Sequence, residues 1–306
     1  MTTDSNEALT TSVIVPSHER PELVRRALKS VEQQTELPEE IIVVNDGSEA
    51  DYSPVESHLE SFPTETRYIR TDGVGAAAAR NIGADQATGN LYMFLDDDDR
   101  WLPRKVEDQQ TMVRDRPNVG LVYAGRKVVD SNGQELYSIT PSKRGDLSRK
   151  LLVKNVVGIT SSVAIRRETF ERVGGFDEVL PARQDYDLWI RIAQVASIDY
   201  VAHPLVEWTI PEAGRNSISA DPERYRRANS MLLEKHGERI RELSFVDQRR
   251  SMAATYANIA AKYHQNGSAS RFRFALRSLL YWPTLSALSK LPPETVTRSV
   301  RNLLRI

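Results

Sequence analysis

Residues 12–16 (SVIVP), 40–44 (EIIVV) and 91–95 (LYMFL) are short apolar runs, and each leads directly into polar residues. Runs of this length and composition predict strands buried on both faces. Between the first two, Pro21 suits a first helical turn, and Leu23, Ala27, Leu28 and Val31 recur at helical spacing. Strand, helix and strand within fifty residues demand a parallel sheet with right-handed crossovers. The pattern continues with a strand at 67–70, an alanine-rich helix at 75–87, a helix at 105–114 and a strand at 120–123. A polar hairpin around Asn132 and Gly133 and a loop at 138–150 follow. Then come a strand at 160–165, a short helix at 168–173 closed by Gly174-Gly175, and a helix at 186–193. From residue 221 the chain reads as helix, over 222–243, 245–265, 269–281 and 293–306. The expected class is α/β, a sheet flanked by helices and followed by a helical C-terminal region.

The 306 residues are 40% hydrophobic and 27% charged, which excludes wholesale disorder and leaves room for about two domains. The absence of cysteine excludes disulfides, thiolate metal sites and a cysteine nucleophile. The polar start, MTTDSNEALTT, lacks a signal-peptide pattern, and no run approaches the ~18 apolar residues of a membrane span. These features predict a cytoplasmic chain. The net charge of -1 conceals a split. Residues 1–215 hold 25 basic and 35 acidic side chains, whereas 216–306 hold 16 and 7. Two regions with different electrostatic partners are expected. The segment YANIAAKYHQNGSASRFRFALRSLLYWP resembles one helical hairpin of the tetratricopeptide sort. No second copy is present, so it reads as a packed tail rather than a solenoid.

Ligands of open α/β sheets bind beyond the carboxyl ends of the strands. Pro16-Ser17-His18, Asp46-Gly47-Ser48 and Asp96-Asp97-Asp98-Asp99 all lie at such ends. Four adjacent carboxylates repel, and a divalent cation shared with phosphates resolves the conflict. Asp96 and Asp98 share one side of an extended segment. An EF-hand loop beginning at Asp96 fails, because Arg100 and Trp101 replace a ligand and the required glycine. A dinucleotide fingerprint is a second rival, since Gly73, Gly75 and Ala78 have its spacing between a strand and a helix. It falls at the third strand rather than the first. The histidines, His203 among them, form no i, i+4 metal pair.

The ordered segments SVIVPSHER, IIVVNDGS, GVGAAAARNIG and FLDDDD resemble the family 2 glycosyltransferases over residues 11–215. The resemblance implies a GT-A-type mixed sheet, a nucleotide-binding half joined to an acceptor half, spanning 10–215, with 216–306 as a basic helical region. It implies inverting transfer from a nucleoside diphosphate sugar and a divalent metal, Mn²⁺ or Mg²⁺. Pro16, Ser17 and Glu19 then belong to the loop along the base and ribose, where His18-Glu19 replaces the usual Tyr-Asn. Asp46 matches the acid at the nucleobase. Gly75, Arg80 and Asn81 match a loop and helix near the nucleoside. Asp96 and Asp97 match the ribose side of the acidic motif. Asp98 matches the direct metal ligand, with Asp96 as its companion and Asp99 as a neighbour.

The acceptor half resembles the family through GITSSVAIRRETFERVGGFDE and QDYDLWIRIA. Asp185 matches the general base, and Gln184 stands where the family has glutamate. Asp187 is a reserve carboxylate. Trp189 and Arg191 match the Trp-x-Arg on the acceptor side. Arg215 and Ser217 match a segment that closes on the diphosphate. A saccharide or lipid-linked acceptor in surface-glycan, polysaccharide or glycoprotein assembly is implied. Residues 268–306 carry seven basic side chains and one acid among aromatic residues, which suits contact with the inner face of a plasma membrane. No nucleic-acid reading motif accompanies the charge. A non-catalytic nucleotide-sugar binder is the alternative that Gln184 invites, and a dinucleotide-dependent oxidoreductase is the other.

Overall fold

The computed structural model describes residues 8–210, 221–283 and 285–290. Strands and helices alternate as β1 (Thr11–Ser17), α1 (Pro21–Glu32), β2 (Glu40–Asp46), α2 (Ser53–Glu60), β3 (Glu65–Thr71), α3 (Ala76–Gln86) and β4 (Leu91–Phe94). The second half contains β5 (Arg100–Trp101), α4 (Lys105–Asp115), β6 (Val119–Val129), β7 (Glu135–Ile139), α5 (Ser148–Val153), β8 (Val163–Arg166), α6 (Arg167–Arg172), α7 (Gln184–Ile192) and β9 (Ser197–Thr209). Helices α8 (Pro222–Lys235), α9 (Gly237–Arg241), α10 (Phe245–Gln265), α11 (Ser270–Tyr281) and α12 (Leu285–Leu288) follow.

Nine strands form one mixed sheet in the order β3-β2-β1-β4-β8-β6-β9-β5, with β7 hairpinned onto β6. β1, β2, β3 and β4 are parallel, β8 opposes both β4 and β6, and β6 and β9 are again parallel. Every residue of β1, β2 and β4 is buried, as continuous apolar runs require in a sheet covered on both faces. Edge strand β3 (ETRYIRT) is mostly half-buried, and its charges guard its free edge. α1 lays Val24, Ala27, Leu28 and Val31 into the core. α3 is built of small residues because it lies close to the strands. A Cβ on Gly83 would stand 2.5 Å from Ile14 Cγ2.

The described residues divide into two compact units. The sheet unit lies within 1–148, 156–178 and 184–211, and the helical unit within 149–155, 179–183 and 212–306. In the helical unit, α10 and α11 form a hairpin whose core holds Ile259, Ala260, Tyr263, Phe274 and Ala275. Phe272 and Leu279 pack against that core. The aromatic face expected to meet a membrane is therefore largely the hairpin's own interior. What α11 exposes is Arg273, Leu276, Arg277 and Leu280. Among the described residues no helix is long and apolar enough to cross a membrane.

Several expectations need correction. The helix expected over 222–243 breaks at His236, whose backbone leaves the helical region before Gly237. β7 is the second arm of the hairpin expected around Asn132 and Gly133, whereas α2, the long strand β9 and α5, which begins inside the loop expected at 138–150, were not expected. The strand expected at 160–165 begins with a 3-10 turn at Thr160–Ser162. The helix expected at 293–306 lies outside the described residues.

Candidate active site

The carboxyl ends of β1, β2 and β4 meet, as parallel strand order requires, and each contributes a polar turn. From β1, Ser17 Oγ donates to Asp97 Oδ2 at 2.7 Å and shares a 2.7 Å hydrogen bond with the Tyr52 hydroxyl. Arg20 bridges Asp97 (2.7 Å) and Asp98 (3.2 Å). Arg80, from α3, pairs with Asp96 at 2.5 Å. Ser161 Oγ donates to Asp99 Oδ2 (2.6 Å) and accepts the Asp96 amide (3.0 Å), while the Thr209 amide donates to Asp99 Oδ1 (3.2 Å). The four aspartates thus divide by alternation. Asp97 and Asp99 are 1% exposed and are held by the protein. Asp96 and Asp98 keep 27% and 33% of their side chains open.

Burial raises the Asp97 carboxyl to about 7, with the neighbouring Asp98 adding to the effect and Arg20 opposing it. Burial also raises Asp98, and the charge of Asp96 raises it further. Asp99 rises well above the usual carboxylate range through burial and the charges of Asp98 and Asp96. Burial would lower Arg20, but Asp97, Asp98 and Asp96 together raise it. This is an electrostatic site short of positive charge. No group of three Asp, Glu or His side chains among the described residues encloses a metal alone. A magnesium-type ion needs only one or two carboxylates when phosphates complete its shell, and the open pair Asp96 and Asp98 fits that requirement.

The loops around the turn are latched by side chains expected to touch ligand. Asp46 accepts from Thr71 Oγ1 (2.7 Å), Val74 N (2.7 Å) and Gly75 N (2.8 Å). Gly75 caps α3 at φ 94°, a conformation open chiefly to glycine. The Asp46 carboxylate therefore occupies the amides that a dinucleotide pyrophosphate would need, and this overturns the fingerprint reading. Glu19, at φ 59°, directs its carboxylate to Glu49 N (2.5 Å) and Ala50 N (3.2 Å). His18 Nδ1 donates to the Asp46 carbonyl at 2.6 Å. Pro16 lies buried within β1. Asn81 donates to Phe176 O and Glu178 Oε1 and accepts from Phe176 N, so its amide ties α3 to the 176–178 loop.

Asp185 sits half-buried in the first turn of α7, where its Oδ1 accepts the Tyr186 amide at 2.7 Å. Asp187 points the other way, is fully buried and pairs with Arg191 at 2.7 Å. Arg191 also donates to Val173 O at 2.6 Å. Trp189 is fully buried and donates to Gly158 O at 3.2 Å. Trp189 is packed into the core, and Arg191 ties α7 to Asp187 and Val173 while its Nη2 is buried without a partner among the described residues. Arg215 and Ser217 lie outside the described residues.

Two residues had no signal in the sequence. Lys105 is fully buried, with its Nζ on Val163 O (3.3 Å) and Gln109 Oε1 and 4.4 Å from the Trp101 ring centroid. Burial lowers it well below the usual lysine range. Trp101 Nε1 donates to Ser161 O and Gln109 Nε2 to Ser162 O, so this cluster fixes the segment that holds Asp99. Arg126, on β6, has its Nε buried with no partner among the described residues.

A GT-A-type sheet with an acidic turn at its switch point defines a transferase class. The model of glycosyl transferase family 2 matches residues 12–174, and the chain belongs to that family. It is 30% identical to an uncharacterized glycosyltransferase of Haemophilus influenzae over 83% of this chain and 88% of that protein. It is 33% identical to one of Rickettsia bellii over 73% of this chain, spanning only a third of that longer relative. Among solved structures it resembles residues 1–349 of S. aureus TarS in complex with UDP-GlcNAc, at a TM-score of 0.61 and 16% identity, covering 96% of this chain and 92% of that one.

Proposed function

We propose that the chain transfers one sugar, with inversion, from a nucleoside diphosphate sugar to an acceptor hydroxyl during glycan assembly. Residues 10–215 are the catalytic domain in this reading, and 216–306 are an accessory basic region. The observation that carries it is the divided aspartate turn. Two carboxylates are locked by Ser17, Arg20 and Ser161, and two stay open at the sheet's switch point. Mn²⁺ or Mg²⁺, held by Asp98 and Asp96, would supply positive charge to the departing diphosphate. Arg80 and Arg20 fix the angles of Asp96 and Asp98. Asp185 accepts the acceptor hydroxyl proton as that oxygen bonds the anomeric carbon and the bond to diphosphate breaks. Gln184 takes the sequence position of the family's glutamate, so Asp185 works without that neighbouring carboxylate.

UDP is the first base to test, because the solved S. aureus neighbour is described with UDP-GlcNAc and with UDP. Release of free sugar or transferred product from a panel of nucleotide sugars measures turnover directly. Wild type is expected to turn one donor over, slowly with water alone. Binding without any turnover would favour the sensor that Gln184 invites. The exposed Arg273, Leu276, Arg277 and Leu280 of α11 support peripheral contact with an anionic bilayer and a lipid-linked acceptor. Pelleting with phosphatidylglycerol liposomes at low salt tests this, and failure to pellet removes it.

A further inference from the structure

Arg126 lies on β6 between β7 and β9. Arg126 is in register with Ile139 and Val206, and Val128 with Tyr137 and Trp208. Residues two apart share a face, so Arg126, Tyr137 and Trp208 stand on the same side of the sheet. The Arg126 guanidinium carbon is 5.7 Å from the Trp208 ring centroid. Trp208 is half-buried and Tyr137 is 51% exposed. Gly158 closes the other side. A Cβ there would overlap Arg126 Nη1, and the backbone has φ 110°. The Gly158 carbonyl receives Trp189 Nε1, and Asp185 is one helical turn before Trp189 on α7. Gly158 therefore joins Arg126 to α7, the helix whose first turn carries Asp185.

Among the described residues the Arg126 side chain makes no hydrogen bond or close ion pair, and its Nε is buried without a partner. Burial lowers its pKa, while the charges of Tyr137, Asp99 and Asp185 reach it and oppose the effect. Its Nη groups are committed to no acceptor among the described residues, which leaves them available to a ligand oxygen. Its planar fork suits carboxylate or phosphate, and the aromatic faces beside it suit the apolar face of a sugar ring.

We infer that Arg126, Trp208 and Tyr137 form the acceptor-binding surface, and that the acceptor is a saccharide bearing an anionic group. The sugar ring lies on Trp208, its carboxylate or phosphate engages Arg126, and its hydroxyl faces Asp185. This rests on the transferase reading for the role of Asp185, but the surface can be tested apart from turnover. The full chain is applied to immobilised neutral, uronate-bearing and phosphate-bearing oligosaccharides, with and without UDP and Mn²⁺. Wild type is expected to retain anionic glycans about tenfold better than neutral ones, the scale of one charge-assisted hydrogen-bonded pair. The two anionic arms distinguish carboxylate from phosphate. Arg126→Gln removes the preference, Arg126→Lys restores part of it, and Trp208→Ala weakens retention of every glycan. Tyr137→Ala, on the exposed hairpin, weakens retention without threatening the core. UDP-induced thermal stabilisation is unchanged in all of them, which also reports that they fold. The inference is overturned if wild type shows no anionic preference, or if Arg126→Gln keeps it. It is equally overturned if Arg126→Gln loses UDP stabilisation but keeps glycan retention, which assigns Arg126 to the donor diphosphate. Anionic retention by a wild type that ignores every nucleotide would instead strike the transferase reading and leave this surface standing.

Discussion

The two halves of the sheet treat their polar groups in opposite ways. In the β1–β4 half nearly every site side chain already has a protein partner. Asp46 holds three donors, Glu19 two amides, and Asn81 both polar groups of Phe176. In the β6–β9 half the whole Arg126 guanidinium lacks a hydrogen-bonded partner among the described residues, and Asp185 is half-buried in the first turn of α7. The first half is pre-organised before any ligand arrives, which suits a constant nucleotide. The second half leaves its charge to be completed by whatever binds, which suits a variable acceptor.

That contrast can be broken most sharply at Asp185. Asp185→Asn is expected to lower transfer by about 10³-fold, within the range for losing a general base, while nucleotide binding changes less than about twofold. Equal loss of binding and turnover would erase the division between halves. Asp98→Ala makes the converse test. It should weaken metal-dependent UDP binding by about tenfold or more, measured by calorimetry, because only one open carboxylate remains. Asp46→Ala probes pre-organisation alone. It strands Val74 N, Gly75 N and Thr71 Oγ1, and should cost about 2 kcal/mol, or roughly 4–8 °C in Tm. An unchanged Tm would mean that the loop does not depend on its latch.

The smallest effect at neutral pH belongs to Lys105. Its pKa is depressed in the folded state, so the unfolded chain binds more protons between the folded value and about 10.4. Its contribution to stability is thus complete above about pH 10.4 and is lost as pH falls through the folded value. Lys105→Met should lack this slope, so wild type gains Tm relative to the variant as pH rises from 7 to 10. Parallel profiles would show that the buried amine does not titrate there.

Legibility in the sequence follows the same division. β1, β2, β4, α1 and α3 are local, uninterrupted patterns, and their turn residues lie where strand ends must converge. β9 was illegible because SIDYVAHPLVEWT has no clean alternation. Its register with β6 shifts around Gly125, where a Cβ would come within 2.9 Å of the His203 carbonyl carbon. With β9 unseen, neither Trp208 nor the face it shares with Arg126 could be anticipated. That Trp189 lies in the core was illegible for a related reason. A Trp-x-Arg on a helix has the same spacing whether it faces a ligand or the core, and only the packing of α7 distinguishes them. Likewise Asp46 and Glu19 are residue types that suit a ligand, but their backbone partners come from loops that spacing alone cannot bring near.

The central claim is that the open pair Asp96 and Asp98 serves a metal-bound nucleoside diphosphate. Thermal stability of wild type and Asp98→Ala, measured with UDP, GDP, CDP and dTDP with and without Mn²⁺, tests it most directly. At about a hundred times its dissociation constant, a ligand stabilises by roughly 2.7 kcal/mol, well within detection. The account predicts stabilisation by one nucleotide, only with metal, and its loss in Asp98→Ala. Stabilisation that ignores both the metal and the substitution would contradict it.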